Sequence, residues 1–262
     1  MKKLRSHLII PDCQVHEGVN TNHLTHIGKY IVEKKPSVVV CLGDFADMPC
    51  LSSYDKGTKS FEGRRYWKDI KSARDAMDKL LKPIREHNLT LKRGKRKQYT
   101  PRMVMLLGNH ENRINRAIDA DAILEDTIST EDLGYEENGW EVHKFLETVD
   151  IDGVLYSHFF PRSANGRVLQ NRRGAPSAVT QVRREMQSCT SGHLQGISFD
   201  VYQTGNRRLY GLIAGSCYTH EEDYLSPQGT AYWRGIVMKH EVQNGQYDPM
   251  FVSLDYLKRR YG

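Results

Sequence analysis

One stretch of the sequence indicates both a fold and a chemistry. It is Met103-Val104-Met105-Leu106-Leu107-Gly108-Asn109-His110-Glu111, MVMLLGNHE. Its five apolar residues have the length and continuity of a β-strand that is buried on both faces. The end of the stretch then brings an amide, an imidazole and a carboxylate. In open α/β sheets, functional sites form at the carboxyl ends of the strands. The stretch therefore predicts an α/β fold with a polar site at one edge of its sheet.

Two earlier stretches, residues 8–10 and 38–42, are similar short apolar runs and predict further buried strands. Between these runs and residues 103–107, apolar residues recur at helical spacing over residues 24–31 and 70–81. An alternation of strands and helices implies right-handed crossovers and a largely parallel sheet.

The second half of the chain shows shorter and more frequent strand patterns. A strand is predicted at residues 154–156 and a helix at 177–187. The strand-like segments that follow are separated by Gly and Asn, and we interpret them as a meander of antiparallel strands. They are residues 188–191, 197–202, 207–214, 235–240 and 250–254. Because no repeat or linker is visible, we expect a single domain, 1–262, built as two packed mixed β-sheets flanked by helices.

The composition limits the partners and the compartment. Lys and Arg number 38 against 32 Asp and Glu, and the net charge of +6 favours anionic partners only weakly. None of the five cysteines forms a CxxC pair, which predicts free thiols in a reducing, cytoplasmic setting. No apolar run reaches the roughly 18 residues of a membrane span, so we expect no membrane partner. The apolar run before Pro11 is also too short for a signal peptide.

A basic segment at residues 92–98, KRGKRKQ, lies between a helical pattern and a strand. Such a run is either a solvated loop or a contact for a phosphate backbone, and the sequence leaves both readings open.

Residue types that bind divalent cations follow five predicted strands. Any one of them alone is ordinary, because Asp caps helices and Gly-Asp or Gly-Asn forms turns. Five in succession predict a metal site. They are Asp12-Cys13-Gln14, Gly43-Asp44, Gly108-Asn109-His110-Glu111, Ser157-His158 and Gly192-His193-Leu194-Gln195.

The order of these motifs resembles the calcineurin-like metallophosphoesterase family. Its pattern is Asp-x-His, Gly-Asp, Gly-Asn-His-Glu or Gly-Asn-His-Asp, a single His, and Gly-His-x-His. The resemblance covers about residues 7–215 and is strongest to the small stand-alone members of bacteriophages and prophages. It implies a calcineurin-like α/β/β/α sandwich and, if the chain is phage-encoded, a location in the host cytoplasm.

The resemblance also implies two divalent metal ions and a ligand set for them. Asp44 would bridge both ions, Asp12, Gln14 and Gln195 would hold the first, and Asn109, His158 and His193 would hold the second.

The chain departs from the family pattern at two positions, because Gln14 and Gln195 stand where the family has His. Amide oxygen suits Mn²⁺ and Mg²⁺, whereas imidazole suits Zn²⁺ and Fe. We therefore expect Mn²⁺ and a weakly bound first ion, with Mg²⁺, Fe and Zn²⁺ as the alternatives. Asp12 and Gln14 point the same way from an extended chain, and His16 remains an alternative ligand two residues further on.

The catalytic group implied by the resemblance is His110, which is not a ligand and would protonate the leaving oxygen or stabilise the transition state. Arg113, one turn beyond it, and Arg162, four residues after His158, are the candidates for binding substrate phosphate. Asp47 is expected to cap a helix rather than to support the site.

We expect a metal-dependent hydrolase of phosphate monoesters or diesters, with nucleotides and nucleic acids among the candidate substrates. One alternative is a Mn²⁺-dependent nuclease acting on DNA, which the basic residues 92–98 favour. The other is a non-catalytic binding module with a degenerate metal site, which Gln14 and Gln195 favour and His110 disfavours. The sequence leaves the oligomeric state open.

Overall fold

The structure of the protein is a computed structural model that describes residues 5–53, 56–161, 177–221 and 232–262. In chain order, the strands and α-helices are β1 (Arg5–Ile10), α1 (Asn22–Lys34), β2 (Val38–Cys41), α2 (Tyr66–Arg93), β3 (Arg102–Leu106), α3 (Arg113–Ala120), β4 (Glu141–His143), β5 (Val149–Ile151), β6 (Val154–Tyr156), α4 (Ala178–Glu185), β7 (Ser188–Ser191), β8 (Ile197–Thr204), β9 (Arg207–Ala214), β10 (Gly235–Gln243), β11 (Gln246–Ser253) and α5 (Leu254–Tyr261).

The first sheet has six strands in the order β11-β10-β1-β2-β3-β4. The strands β1 to β4 are parallel, and their registers pair His7 with Val38 and Val38 with Arg102. Strand β10 adds antiparallel to β1, and β11 adds antiparallel to β10. The parallel half matches the prediction from the alternating strands and helices.

The second sheet has five strands in the order β5-β6-β7-β9-β8. Its three central strands, β6, β7 and β9, are parallel, and the edge strands β5 and β8 are antiparallel to their neighbours. The predicted antiparallel meander is therefore correct only for the neighbouring pairs β8–β9 and β10–β11. Strand β9 lies between β7 and β8 and pairs parallel with β7, and the β10–β11 hairpin joins the first sheet instead of continuing the second.

Residues that alternate along each central strand of the first sheet face two different layers. In β1, Leu8 and Ile10 pack toward helices α1, α2 and α5, whereas Ile9 packs toward the second sheet. In β2, Val39 faces the helices and Val40 faces the second sheet. This period of two explains why these runs are apolar at every position.

The outer face of the second sheet is covered by helix α4, whose Val182 packs with Cys189 of β7 and Leu209 of β9. The molecule is therefore an α/β fold of two mixed sheets packed face to face, with helices on both outer faces.

The basic residues 92–98 are exposed and extend from the last two residues of α2 into the loop before β3. They therefore lie at the edge of the first sheet where the parallel strands begin. The polar residues that follow β1, β2 and β3 lie at the opposite edge, where these strands end. In the described part of the chain, no helix is long and apolar enough to cross a membrane.

Candidate metal centre

The loops after five parallel strands meet at one edge of the sandwich and are bonded to one another. The backbone N–H groups of Cys13 and Gln14, after β1, donate to the carbonyl oxygen of Asp44, after β2, at 3.0 and 2.9 Å. The N–H of His110, after β3, donates to Asp44 Oδ1 at 2.9 Å. The N–H of His193, after β7, donates to Asp12 Oδ1 at 2.9 Å and so connects the second sheet to the first.

Two glycines of the motifs are required by these close approaches. A Cβ at Gly108 would overlap Asp44 Oδ1, and a Cβ at Gly192 would overlap Asp12 Oδ1. Only glycine lets the backbone approach a carboxylate this closely. The Gly-Asn and Gly-His pairs thus serve the packing of the site as well as its turns.

Several of the candidate ligands have a left-handed backbone conformation that residues other than glycine rarely adopt. The φ angles are 48° at Gln14, 49° at Asp44, 64° at His193 and 55° at Gln195. Such strain persists where the surrounding contacts over-determine a turn, and it is concentrated at functional sites.

The residues assigned to the second ion lie together. Ligand atoms of Asp44, His158 and His193 lie within 4.8 Å of one another. His158 directs Nδ1 to the carbonyl oxygen of Leu42 at 2.7 Å, while its Nε2 lies 2.9 Å from Asn109 Oδ1 and 3.4 Å from Asp44 Oδ2. A histidine that donates one ring N–H to a backbone carbonyl is oriented to offer its other nitrogen to a metal.

The charges of this group are strongly coupled. Burial alone would raise the pKa of Asp44, but His110 and His158 outweigh burial and hold that pKa well below its usual range. Burial opposes a charged imidazole at His158, but Asp44 outweighs it and raises the pKa of His158 to about 9. Burial together with His158 lowers the pKa of His193 to about 4, so His193 is neutral and can act as a ligand.

The residues assigned to the first ion offer oxygen atoms that have no hydrogen-bond partner. Asp12 Oδ2 and Gln14 Oε1 are buried, and neither has a partner within the described ranges. Gln14 Nε2 lies 3.4 Å from Asp44 Oδ2, so the Gln14 amide lies next to the carboxylate that is expected to bind both ions. Burial, reinforced by Asp44, raises the pKa of Asp12 to about 7. Buried oxygens without partners are costly in a protein alone, and a cation would satisfy them.

Gln195 lies at the same edge but has a protein partner. Its Oε1 accepts a hydrogen bond from the Tyr218 hydroxyl at 2.8 Å, which occupies one acceptor position of that oxygen. His16 directs Nδ1 to the carbonyl oxygen of Glu17 at 2.9 Å, and its ring packs edge-on against His220 with centroids 5.1 Å apart. The ligand roles of Gln195 and of His16 stay predictions.

His110 forms a pair with Asp47, and this corrects the expected role of Asp47 as a helix cap. Its Nδ1 lies 2.5 Å from Asp47 Oδ1 and its Nε2 lies 3.7 Å from Asp44 Oδ2. Burial opposes the charged imidazole, but Asp44 and Asp47 outweigh burial, so the pKa of His110 lies above its ordinary value. The next helical turn, Pro49–Leu51, has Met48 and not Asp47 in its N-cap position, so Asp47 orients His110 instead.

Arg113 borders this pair at the start of α3. Its guanidinium donates to the carbonyl oxygen of Asp47 at 2.6 Å, and another of its nitrogens lies 3.3 Å from His110 Nε2. The second phosphate-binding candidate, Arg162, lies outside the described residues.

Glu111 has a structural role that the sequence motif alone does not reveal. Its buried carboxylate accepts the backbone N–H groups of Asp44, Ala46 and Gly108 at 2.9, 3.0 and 2.8 Å. Through these bonds Glu111 joins the loops after β2 and β3. The observation that could have indicated this is its place directly after a ligand turn, where three backbone donors need an acceptor.

Neither a model of a known protein family nor a curated protein matches this chain. Among solved structures, 63 chains match. One of them is 12% identical to this chain, and the alignment covers 95% of this chain and 100% of that chain with a TM-score of 0.36. A likeness at that TM-score carries no argument, so the function has to be inferred from the site itself.

Proposed function

We propose that the protein is a calcineurin-like metallophosphoesterase that hydrolyses phosphate esters with two divalent ions. The observation that carries the proposal is the pair of buried oxygens without partners, Asp12 Oδ2 and Gln14 Oε1, beside the cluster of Asp44, His158 and His193. Asp12 and Gln14 thus offer oxygen next to Asp44, and His158 and His193 offer imidazole. These two sets of donors would hold two cations, with Asp44 as a ligand of both.

The donor chemistry favours Mn²⁺ in the first position. Asp12, Gln14 and Asp44 supply oxygen only, which suits Mn²⁺ and Mg²⁺ better than Zn²⁺. Asn109 and the two imidazoles would hold the second ion. When bound, a pair of cations would supply an activated water nucleophile and would stabilise charge on a phosphoryl oxygen.

The chain itself supplies the proton chemistry. Asp47 orients His110 through Nδ1, so Nε2 is directed toward the side of Asp44 where the ester would lie. From there, His110 can donate a proton to the leaving oxygen or a hydrogen bond to the transition state. Arg113, 3.3 Å from His110 Nε2, adds positive charge beside the same position.

The position of the basic residues 92–98 weakens the argument for a nuclease. They lie at the edge where the parallel strands begin, and the candidate site lies at the edge where these strands end. Their charge therefore does not line the site. A nuclease stays an alternative, but no described contact favours it over a hydrolase of small phosphate esters.

The cysteines support a reducing compartment, and we propose the cytoplasm as the location. All five are free thiols, and four of them are buried: Cys13, Cys41, Cys189 and Cys217. Free buried cysteines are typical of proteins that do not depend on disulfides.

The proposal is tested with a substrate panel in the presence of added Mn²⁺. The panel contains p-nitrophenyl phosphate, its bis-ester, cyclic nucleotides and DNA, and the wild type is compared with Asp44→Asn. We expect the wild type to hydrolyse at least one ester. The variant should lose its activity and most of its bound metal. If the wild type binds metal but hydrolyses nothing, the protein is a binding module and the proposal is wrong.

A further inference from the structure

Strand β4 brings a residue without ligand chemistry to the edge where the candidate ligands lie. It is the fourth parallel strand of the first sheet, and it pairs with β3. The N–H of Leu107 donates to the carbonyl oxygen of His143 at 2.9 Å, so the end of β4 lies beside the Gly108-Asn109 turn. The chain that continues from there presents Phe145.

The turn that presents Phe145 is held by a carboxylate. Glu147 accepts the backbone N–H of Lys144 at 3.1 Å and bonds His143 Nδ1 at 2.9 Å, and its own N–H donates to the Lys144 carbonyl oxygen. Leu146, inside this turn, has a φ of 67°. A leucine rarely adopts this conformation, and such strain persists only where the surrounding contacts maintain it.

The Phe145 ring packs beside the imidazoles of the candidate second-ion site. Its centroid lies 6.1 Å from that of His158 and 5.7 Å from that of Phe159. Phe159 is 6% exposed and packs against His193 with centroids 4.7 Å apart, so it forms the buried part of this aromatic wall. Phe145, in contrast, is only partly buried.

We propose that Phe145 is a stacking platform for a planar ring of the substrate, and that the phosphate ester therefore carries a nucleobase. This inference rests on the proposed function, because it places the phosphate at the two ions. Aromatic side chains beside a phosphate site stack bases without reading their identity. Packing against His158 alone would need neither a partly exposed residue nor the strained turn at Leu146.

The test compares two phosphates that differ only by the base, 5′-AMP and ribose 5-phosphate. Each is measured as a substrate or as a competitive inhibitor of whichever ester the protein hydrolyses. In Phe145→Leu, we expect the KM or Ki for AMP to rise roughly 5- to 100-fold, the loss that removal of one base–aromatic stack gives. The value for ribose 5-phosphate should not change, and Phe145→Trp should bind AMP as well as the wild type.

A matched control is Phe251→Leu. Phe251 is 41% exposed and lies on β11, at the opposite edge of the first sheet from β4. It should change neither value. Equal losses for AMP and ribose 5-phosphate in Phe145→Leu would overturn the proposal and leave Phe145 as packing for His158.

Failure of the stacking proposal can be separated from failure of the proposed function. In Phe145→Trp, binding of AMP should quench the new indole, and ribose 5-phosphate should not. The signal is read as the difference from the wild type, because the chain has three other tryptophans. This measurement needs no turnover, so it decides on the base site even if no ester is hydrolysed.

Discussion

At the residue scale, the Asp47–His110 pair allows the proposed proton chemistry to be tested apart from the proposed metal binding. His110 touches Asp44 through its backbone N–H, and its ring is oriented by Asp47 at 2.5 Å. We expect His110→Ala to lower kcat by roughly 10²- to 10⁴-fold, the range for a lost acid–base group, while metal content stays unchanged. Elemental analysis and turnover with Mn²⁺ measure the two effects.

Asp47→Asn is the companion variant for this prediction. It keeps the imidazole but weakens the charge and the hydrogen bond that orient it, so its loss should be smaller than that of His110→Ala. Asp44→Asn, in contrast, should lose metal as well as activity. A His110→Ala protein with near-full turnover would show that this imidazole has no part in the reaction.

The proposed ligand roles of Gln14 and Gln195 can be tested by replacing each of them with the His of the family pattern. If Gln14 and Gln195 supply oxygen to the first ion, that ion binds more weakly than the second and prefers Mn²⁺. Gln14→His combined with Gln195→His should tighten the first site and shift its preference toward Zn²⁺. Titration with each metal should show one loose and one tight site in the wild type, and two tight sites in the double variant.

The single variants decide which glutamine matters. Gln195 already accepts a hydrogen bond from Tyr218, whereas Gln14 Oε1 has no partner within the described ranges, so Gln14→His should have the larger effect. Unchanged metal number and preference in the double variant would mean that both amides serve other roles.

The candidate ligands could be found from the sequence because each follows a strand directly. The ligand types Asp44, Asn109 and His158 are visible in short motifs, and the shared edge of parallel strands brings them together. The contacts of Asp47 and Glu111 could not be found this way. Asp47 meets His110 across 63 positions of the chain, and Glu111 meets Ala46 across 65. Such pairs depend on strand register and turn geometry.

At the element scale, the order of the early strands was predictable but that of the late ones was not. Apolar runs and helical spacing define β1, α1, β2, α2 and β3, since each connection is a simple crossover. The hairpin β10–β11 has the same local pattern as a strand pair of a meander, yet it pairs with β1 at register Ile9–Val237. The periodicity of the sequence shows that a segment is a strand. It does not show which of the two sheets that strand joins. The three-residue strand β4, which carries the chain to Phe145, was too short to be recognised.

The two sheets are also joined by a buried polar network of residues that are not candidate ligands. His7 of β1 bonds Tyr156 of β6 at 2.7 Å and Asp152 of the β5–β6 turn at 2.8 Å. Lys239 of β10 donates to Tyr156 at 3.3 Å and to Thr190 of β7 at 2.5 Å. Burial lowers the pKa of Lys239 well below its usual value and that of His7 to about 4.

This network predicts how stability changes with pH. His7 is neutral in the folded protein down to about pH 4, whereas in the unfolded chain it takes up a proton near pH 6.5. The unfolded state therefore binds more protons between these values, and the free energy of unfolding falls as pH drops, by up to about 3 kcal/mol. In His7→Gln, the part of the decrease in the free energy of unfolding that His7 causes should be absent.

Urea unfolding of the wild type and of His7→Gln between pH 7.5 and 4, in a fixed buffer series, gives the comparison. The difference between the two proteins is the quantity to follow, because the other titrating groups then cancel. If the two curves stay parallel, His7 does not carry the effect. A difference that grows toward high pH would reverse the sign of the argument.

At the scale of the whole molecule, the candidate centre lies where both sheets contribute. Asp12, Asp44 and Asn109 follow strands of the first sheet, and His158 and His193 follow strands of the second. The buried carboxylates of Asp12 and Glu111 both interact with that of Asp44, and burial, reinforced by Asp44, raises the pKa of Asp12 to about 7. Bound cations would offset that repulsion and hold the two sheets together at this edge.

Metal should therefore stabilise the entire fold and not only the loops. A ligand that binds the native state alone, at about 100 times its Kd, adds roughly 2.7 kcal/mol to the free energy of unfolding. For a chain of this size, that corresponds to a rise in Tm of about 5–10 °C. We expect this rise when Mn²⁺ is added to chelator-treated protein, and its reversal by excess chelator. The variant Asp44→Asn should show little of it, and Phe251→Leu should show all of it. A wild type whose Tm is the same with chelator and with millimolar Mn²⁺ would mean that these side chains do not bind the ions, whatever their arrangement.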